Sequence, residues 1–186
     1  MKTQDKIIFL DRDGVINRFP GKGVYVVKKK QFRFLPNTFK ALHLLKEEGF
    51  KVFVVSNQGC VSRGLITRLA LKKMTDRMLA EIKQNGGSIN RVYYCEHQTS
   101  DRCECKKPKT LLFKKALKGR KADLNKIYFI GDSEEDIQAA KNLGCRSILA
   151  LSGRLKRRDI PKLLAKPDLV KKNLLDAARW ITQKKS

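Results

Sequence analysis

The segment Ile7-Ile8-Phe9-Leu10-Asp11-Arg12-Asp13-Gly14 constrains this chain more than any other. Four consecutive apolar residues predict a strand buried on both faces, as in a parallel sheet. That strand runs directly into two carboxylates one residue apart. Open α/β sheets bind ligands at the carboxyl ends of their strands, so Asp11 and Asp13 sit where chemistry is done. Two anions that close are costly without a cation beside them. The segment has two readings: a divalent-metal site with a carboxylate nucleophile, or a strand ending in an Asp/Gly turn. What the other strands deliver decides between them.

The same device recurs along the chain. An apolar strand over 51–55 ends in Ser56-Asn57-Gln58-Gly59. A third, over 91–94, ends in Cys95-Glu96-His97, and a polar loop leads from it to Cys105-Lys106-Lys107-Pro108. A fourth, over 126–130, ends in Gly131-Asp132-Ser133-Glu134-Glu135-Asp136, and a fifth, over 146–151, ends in Ser152-Gly153. Helical spacing predicts helices between these strands, from about 38 to 48, 67 to 85, 110 to 118 and 133 to 143. A short strand near Leu169-Val170 and a helix over 173–182 complete the pattern. Val24-Tyr25-Val26-Val27 is β-prone and predicts a flap strand. Strands alternating with helices predict an α/β fold, a doubly wound three-layer parallel sheet. A length of 186 residues suits one domain spanning 1–186.

Taken together, the strand ends describe phosphoryl transfer. Such a site needs an in-line nucleophile, charge neutralisation and a proton for the leaving group. Asp11 and Asp132 offer hard oxygens for Mg²⁺. Ser56, Asn57 and Lys107 can hold phosphate oxygens, and Asp13 can protonate the leaving oxygen and then activate water. An aspartate nucleophile would form an aspartyl phosphate.

On Phe9-Leu10-Asp11-Arg12-Asp13-Gly14, Ser56, Lys107 and Gly131-Asp132-Ser133-x-x-Asp136, the sequence resembles the haloacid dehalogenase-like phosphatases over nearly its whole length. The resemblance implies a Rossmann-like fold, with Asp11 as nucleophile and Asp13 as general acid/base. It implies that Ser56 and Lys107 bind the transferring phosphoryl group. Asp132, and with it Asp136, would serve Mg²⁺, the backbone carbonyl of Asp13 joining the metal.

Three of the five cysteines fall within eleven positions of one another, beside a histidine, as Cys95-x-His97-x5-Cys103-x-Cys105. Three thiols and one imidazole suit tetrahedral Zn²⁺, and four protein ligands leave no open position, so the site is expected to be structural. An odd cysteine count argues against a disulfide framework. Cys60 and Cys145 read as ordinary buried cysteines, Cys60 lying near the expected site. A cysteine-histidine loop just before Lys-Pro is similar to the subgroup acting on heptose 1,7-bisphosphate and histidinol phosphate. That subgroup lacks a large cap domain, and the likeness implies that the zinc-stapled loop walls the substrate pocket. Asn17 and Ser56-Asn57-Gln58-Gly59-Cys60-Val61-Ser62-Arg63-Gly64 favour the heptose branch, in cell-envelope sugar synthesis. Lys106 stands where the subgroup has an arginine, which keeps the charge and loses the bidentate fork. Asn57, Gln58, Gly59, Arg63, Lys106, Ser133 and Tyr25 are the expected substrate contacts, with Lys106, Arg63 and Lys22 candidates for a second phosphate. Arg63 reads equally as a surface charge.

A net charge of +24, from 42 basic and 18 acidic residues, implies attraction to anions. A nucleic-acid 3′-phosphatase is therefore a competing reading. The basic pairs and runs, from Lys28-Lys29-Lys30 to Lys184-Lys185, are spread over the chain, which fits a phosphorylated small substrate as well. The stretch Met1-Lys2-Thr3-Gln4-Asp5-Lys6 lacks a signal peptide's apolar core, and no run approaches a membrane span. A cytoplasmic, monomeric protein without membrane attachment is expected.

Overall fold

Every residue of the first strand is buried, and its side chains alternate between two cores. In β1 (Ile7–Leu10), Ile8 and Leu10 face one apolar cluster, Ile7 and Phe9 the other. This period of two is that of a pleated strand covered on both faces. Five more strands join it: β2 (Lys51–Asn57), β3 (Arg91–Cys95), β4 (Tyr128–Gly131), β5 (Arg146–Ala150) and β6 (Leu169–Lys171). All pair in parallel, in the order β3-β2-β1-β4-β5-β6. Helices α1 (Thr38–Glu47), α2 (Arg68–Gln84) and α5 (Leu174–Gln183) supply apolar residues to the Ile8/Leu10 face. Helices α3 (Leu111–Leu117) and α4 (Glu134–Leu143) cover the Ile7/Phe9 face, where Phe9, Phe113 and Phe129 meet edge to face. The result is the three-layer, doubly wound sheet expected from the sequence.

The chain winds outward from β1 to β3, crosses back, and winds the other way from β4 to β6. The reversal lies between β1 and β4, where a crevice opens at the carboxyl ends of the strands. Asp11 follows β1 and Asp132 follows β4, so both stand at that crevice.

The structure is a computed structural model and describes residues 4–183. Met1, Lys2 and Thr3 of the amino-terminal stretch, and Lys184 and Lys185 of the basic runs, lie outside the described residues. Among the described residues, no helix is long and apolar enough to cross a membrane.

The observed elements depart from the sequence reading in three places. Residues 24–27 form no strand. No sheet edge is paired with them, and the amides of Val27 and Lys28 instead donate to Gln31 Oε1 at 3.0 and 2.8 Å. Val26 is buried in a third cluster with Cys60, Ile66, Leu71 and Met74, which anchors the loop. β2 runs two residues further than its apolar run, because Ser56 and Asn57 pair with Tyr94 and Cys95. β4 begins only at Tyr128; a 3₁₀ turn holds Leu124–Lys126, with Asp123 Oδ1 accepting from the amide of Asn125 at 3.0 Å.

Candidate active site

Three carboxylates meet in the crevice. Oxygens of Asp11, Asp132 and Asp136 all lie within 4.8 Å of one another, and all three residues are buried. Each is set there by its backbone. Asp11 leaves β1 with its amide donating to the carbonyl of Ile130 at 2.9 Å, which ties it to β4. Asp136 sits in the first turn of α4, where its Oδ2 accepts from the amides of Asp132 and Ser133 at 3.1 Å and from Ser133 Oγ at 2.6 Å. A carboxylate there satisfies orphan helix donors. Asp132 is wedged between two glycines: a Cβ on Gly14 or Gly153 would stand 2.1 or 2.0 Å from its Oδ2. Gly14 also has φ +93°, a conformation glycine adopts without strain.

One cation serves this cluster directly. Lys107 Nζ, 4 % exposed, bonds Asp11 Oδ1 at 2.7 Å and Asp136 Oδ1 at 2.6 Å. Asn57 holds the lysine's backbone from both sides, its Oδ1 accepting the Lys107 amide at 3.0 Å and its Nδ2 donating to the Lys107 carbonyl at 3.3 Å. Asp132 pairs with no lysine or arginine side chain among the described residues; its Oδ2 accepts the backbone amide of Arg154 at 2.6 Å. Burial raises the Asp11 carboxyl to about 6 even against Lys107. Burial, with Asp136 and Asp11 nearby, pushes Asp132 up to about 8. Burial opposes the charge on Lys107, yet its two carboxylate partners hold its ammonium above the usual range. Three buried anions around one lysine lack positive charge, and the donors are all hard oxygens, a set that fits Mg²⁺. Both oxygens of Asp136 are already engaged, so Asp11 and Asp132 are the carboxylates left to face an ion.

Asp13 lies apart from this cluster. Its carboxylate accepts from Arg12 Nη2 at 2.9 and 3.1 Å, from Asn17 Nδ2 at 2.7 Å and from Gln58 Nε2 at 2.8 Å. Burial would raise it, but Arg12 and the bonds from Asn17 and Gln58 prevail and hold it below the usual carboxylate range. With its oxygens turned to these donors, the Asp13 side chain is not a metal ligand; only its backbone carbonyl remains for that role.

A cleft opens over these groups. Asp11, Asp13, Ser56, Asn57, Lys107, Asp132 and Ser133 form its floor, and Phe19, Pro20, Val24, Tyr25, Glu135 and Arg154 its walls. The structure thus brings together the expected groups from all four strand ends, with Tyr25 and Ser133. It moves others away. Gln58 is fully enclosed behind the floor and meets no cleft surface. Gly59 packs against the backbone of His97. Lys106 spends its ammonium on Thr99 Oγ1 at 2.8 Å, outside the cleft. Arg63 is exposed at the rim, its guanidinium 5.8 Å from the centre of the Tyr25 ring. Cys60 is fully buried, with its thiol turned toward Gln58, so it touches nothing in the cleft. Arg154 was not singled out from the sequence. Its guanidinium lies 5.3 Å from the centre of the Phe19 ring and 3.4 Å from Glu135.

The four groups of the cysteine cluster converge. Sulfur separations are 3.5 Å for Cys95–Cys103, 3.2 Å for Cys95–Cys105 and 3.6 Å for Cys103–Cys105. His97 Nδ1 is 3.2 Å from Cys105 Sγ and 3.8 Å from Cys95 Sγ. A tetrahedral ion with Zn–S bonds of about 2.3 Å has edges of about 3.8 Å, so the set fits zinc. Burial raises the Cys95 thiol; burial also opposes the Cys103 thiolate, but sulfur and backbone donors bring it down to about 7. The expectation that this loop walls the pocket is corrected. None of residues 96–106 lines the cleft. The loop instead lies on the turn after β2, where the Gln58 amide donates to the Cys95 carbonyl at 2.6 Å and the Ser62 amide to the Glu96 carbonyl at 3.1 Å.

Comparison with known proteins gives a consistent picture. A family model described as HAD-hydrolase-like matches residues 104–177. The chain is 33% identical over 153 residues to the D-glycero-beta-D-manno-heptose-1,7-bisphosphate 7-phosphatase of Helicobacter pylori strain J99, covering 82% of this chain and 86% of that protein. It is 30% identical to the enzyme of that name from Haemophilus ducreyi, over 95% and 98% of the two chains. Its fold is similar to the crystal structure of D,D-heptose 1,7-bisphosphate phosphatase from B. bronchiseptica complexed with magnesium and phosphate, with a TM-score of 0.88 at 28% identity over 97% and 99% of the chains.

Proposed function

That this chain belongs to the haloacid dehalogenase-like hydrolases is the premise from which we propose its activity: Mg²⁺-dependent hydrolysis of a phosphate monoester through an aspartyl phosphate on Asp11. The substrate is heptose 1,7-bisphosphate, and the 7-phosphate is the group removed, as in the relatives' names. The observation that carries this reading is the buried lysine shared by Asp11 and Asp136, beside an Asp132 that forms no ion pair among the described residues. The chain acts as one domain, since a single sheet delivers every group of the site.

The carboxylate of Asp11 attacks phosphorus as the bond from phosphorus to the sugar oxygen breaks. Asp13, an anion in the free enzyme, takes up a proton as the anionic phosphate ester binds beside it and gives that proton to the departing oxygen. A water molecule then attacks phosphorus of the aspartyl phosphate, Asp13 takes a proton from it, and Asp11 is released as carboxylate. Lys107 and Ser56 hold the phosphoryl oxygens on which charge accumulates. Asp136 holds Lys107 in place, and Asn57 fixes the backbone beneath it. Mg²⁺ held by Asp11 and Asp132 would supply charge neutralisation and in-line orientation. The sulfur cluster holds structural Zn²⁺, which braces the turn carrying Gln58 and Gly59.

At the mouth, Arg154 over Phe19 and Arg63 over Tyr25 present guanidinium groups from two sides. Stacked arginines are pre-organised for phosphate. This suits a substrate with a second phosphate and disfavours histidinol phosphate, which carries an ammonium and an imidazole and no second anion. The test compares Mg²⁺-dependent phosphate release from heptose 1,7-bisphosphate, histidinol phosphate and a 3′-phosphorylated oligonucleotide. The bisphosphate is expected to give the highest kcat/KM; preference for either alternative overturns the substrate assignment.

A further inference from the structure

Gln58 has a place in this site that a surface contact would not require. It follows β2, is 0 % exposed, and is absent from the cleft lining. The chemistry of its neighbours fixes how its amide points. Arg12 has only donors, so the atom 3.0 Å from Arg12 Nη2 is the Gln58 carbonyl. The amide nitrogen then faces Asp13 Oδ2 at 2.8 Å and Ser56 Oγ at 3.2 Å. Arg12 has little freedom to release this arrangement. It is 1 % exposed, bonds both oxygens of Asp13, and lies 5.9 and 5.5 Å from the ring centres of Phe32 and Tyr94.

We propose that Gln58 is the positioning residue of this active site, one buried amide that sets both the acid/base carboxylate of Asp13 and the phosphate-binding hydroxyl of Ser56. The proposal rests on the phosphatase reading above. For Asp13, Asn17 and Arg12 hold Oδ1 while Gln58 and Arg12 hold Oδ2, so Gln58 fixes the tilt of the carboxylate plane toward the leaving group. For Ser56, an incoming N–H occupies one lone pair of the hydroxyl, which leaves its single O–H to donate into the cleft toward a phosphoryl oxygen. Among the described residues, no other side chain donates to both groups.

The test exploits leaving groups. A sugar alkoxide needs a proton as its bond to phosphorus breaks, whereas 4-nitrophenolate departs without one. Through kcat/KM, both report only the steps up to phosphorylation of Asp11. Gln58→Met keeps the side chain's length and removes its N–H donors. With saturating Mg²⁺, its kcat/KM for heptose 1,7-bisphosphate is expected to fall about 100-fold. For 4-nitrophenyl phosphate the fall is about 5-fold, from the unsettled Ser56 alone. Equal losses on both esters would mean a merely structural role and overturn the proposal, as would no loss on either. Should Gln58→Met fail to fold by thermal melt, Gln58→Glu, isosteric and polar, must give the same split. A wild-type protein that cleaves neither ester would instead overturn the phosphatase reading on which the proposal stands.

Discussion

Gly153→Ala is the sharpest perturbation of the proposed metal site, because its size can be worked from the coordinates. The new Cβ would lie 2.0 Å from Asp132 Oδ2 and 2.5 Å from its Cβ and Cγ. Ordinary contact begins at 3.4 Å, so something must yield by about 1.4 Å. Asp132 is also tied in place, since its Oδ2 accepts the backbone amide of Arg154 at 2.6 Å and must give up that bond to move. Gly153 itself has no positive φ, so its backbone accepts alanine and the effect is steric. Overpacking of this kind costs about 1–3 kcal/mol of stability. Mg²⁺ demands near-ideal geometry at about 2.0–2.1 Å, far tighter than the displacement. A misplacement of about 1 Å at a reacting centre lowers rates about 100-fold. We expect kcat to fall by about that factor, and the Mg²⁺ concentration for half-maximal activity to rise at least 10-fold. Gly119→Ala is the control: it has φ +74° with nothing within 4 Å, so it strains the backbone without touching the site. Activity titrated with Mg²⁺ reads the result. A Gly153→Ala protein with wild-type Mg²⁺ dependence and kcat would refute the reasoning.

Four further outcomes follow. Without metal, Asp132 raised to about 8 and Asp11 to about 6 mean that the folded state holds more protons than the unfolded chain between about pH 4 and 8. Stability of the metal-free protein should therefore fall as pH rises through that window, and the rise in Tm produced by Mg²⁺ should be larger at pH 8 than at pH 5; the opposite order would contradict the burial argument. Arg154→Ala should raise KM for heptose 1,7-bisphosphate about 10-fold and leave 4-nitrophenyl phosphate nearly unchanged, which steady-state kinetics would resolve. Metal analysis of the purified protein should find about one zinc per chain. Cys105→Ser should lose that zinc and melt at a lower temperature, which calorimetry would detect.

Much of the fold was legible because this sheet is buried on both faces. Strands such as Ile7–Leu10 and Val52–Val55 are unbroken apolar runs, and each ends where a polar group begins. Asp11, Ser56, Lys107 and Asp132 could be placed together because a parallel sheet collects its strand ends at one edge. The direction of a side chain past a strand end is a tertiary matter, and there the sequence was mute. Gln58 and Asn57 are neighbours of like chemistry, yet one faces back to Asp13 and the other clamps Lys107. Arg12 stands between two functional aspartates and carries no pattern that would reveal its burial between aromatic rings. Arg154 had no signal at all among 42 basic residues. Val24–Val27 has strand-forming residues but no sheet edge to pair with, so propensity lost to the side-chain bonds of Gln31.

The claim on which all else depends is that Asp11 becomes phosphorylated. Rapid acid quench of the enzyme turning over radiolabelled substrate with Mg²⁺, followed by peptide mapping, tests it most directly. The account predicts a hydroxylamine-labile phosphoryl label on the peptide containing Asp11, absent from Asp11→Asn, which should also be inactive. A label on another residue, or an Asp11→Asn protein that still turns over, would contradict it.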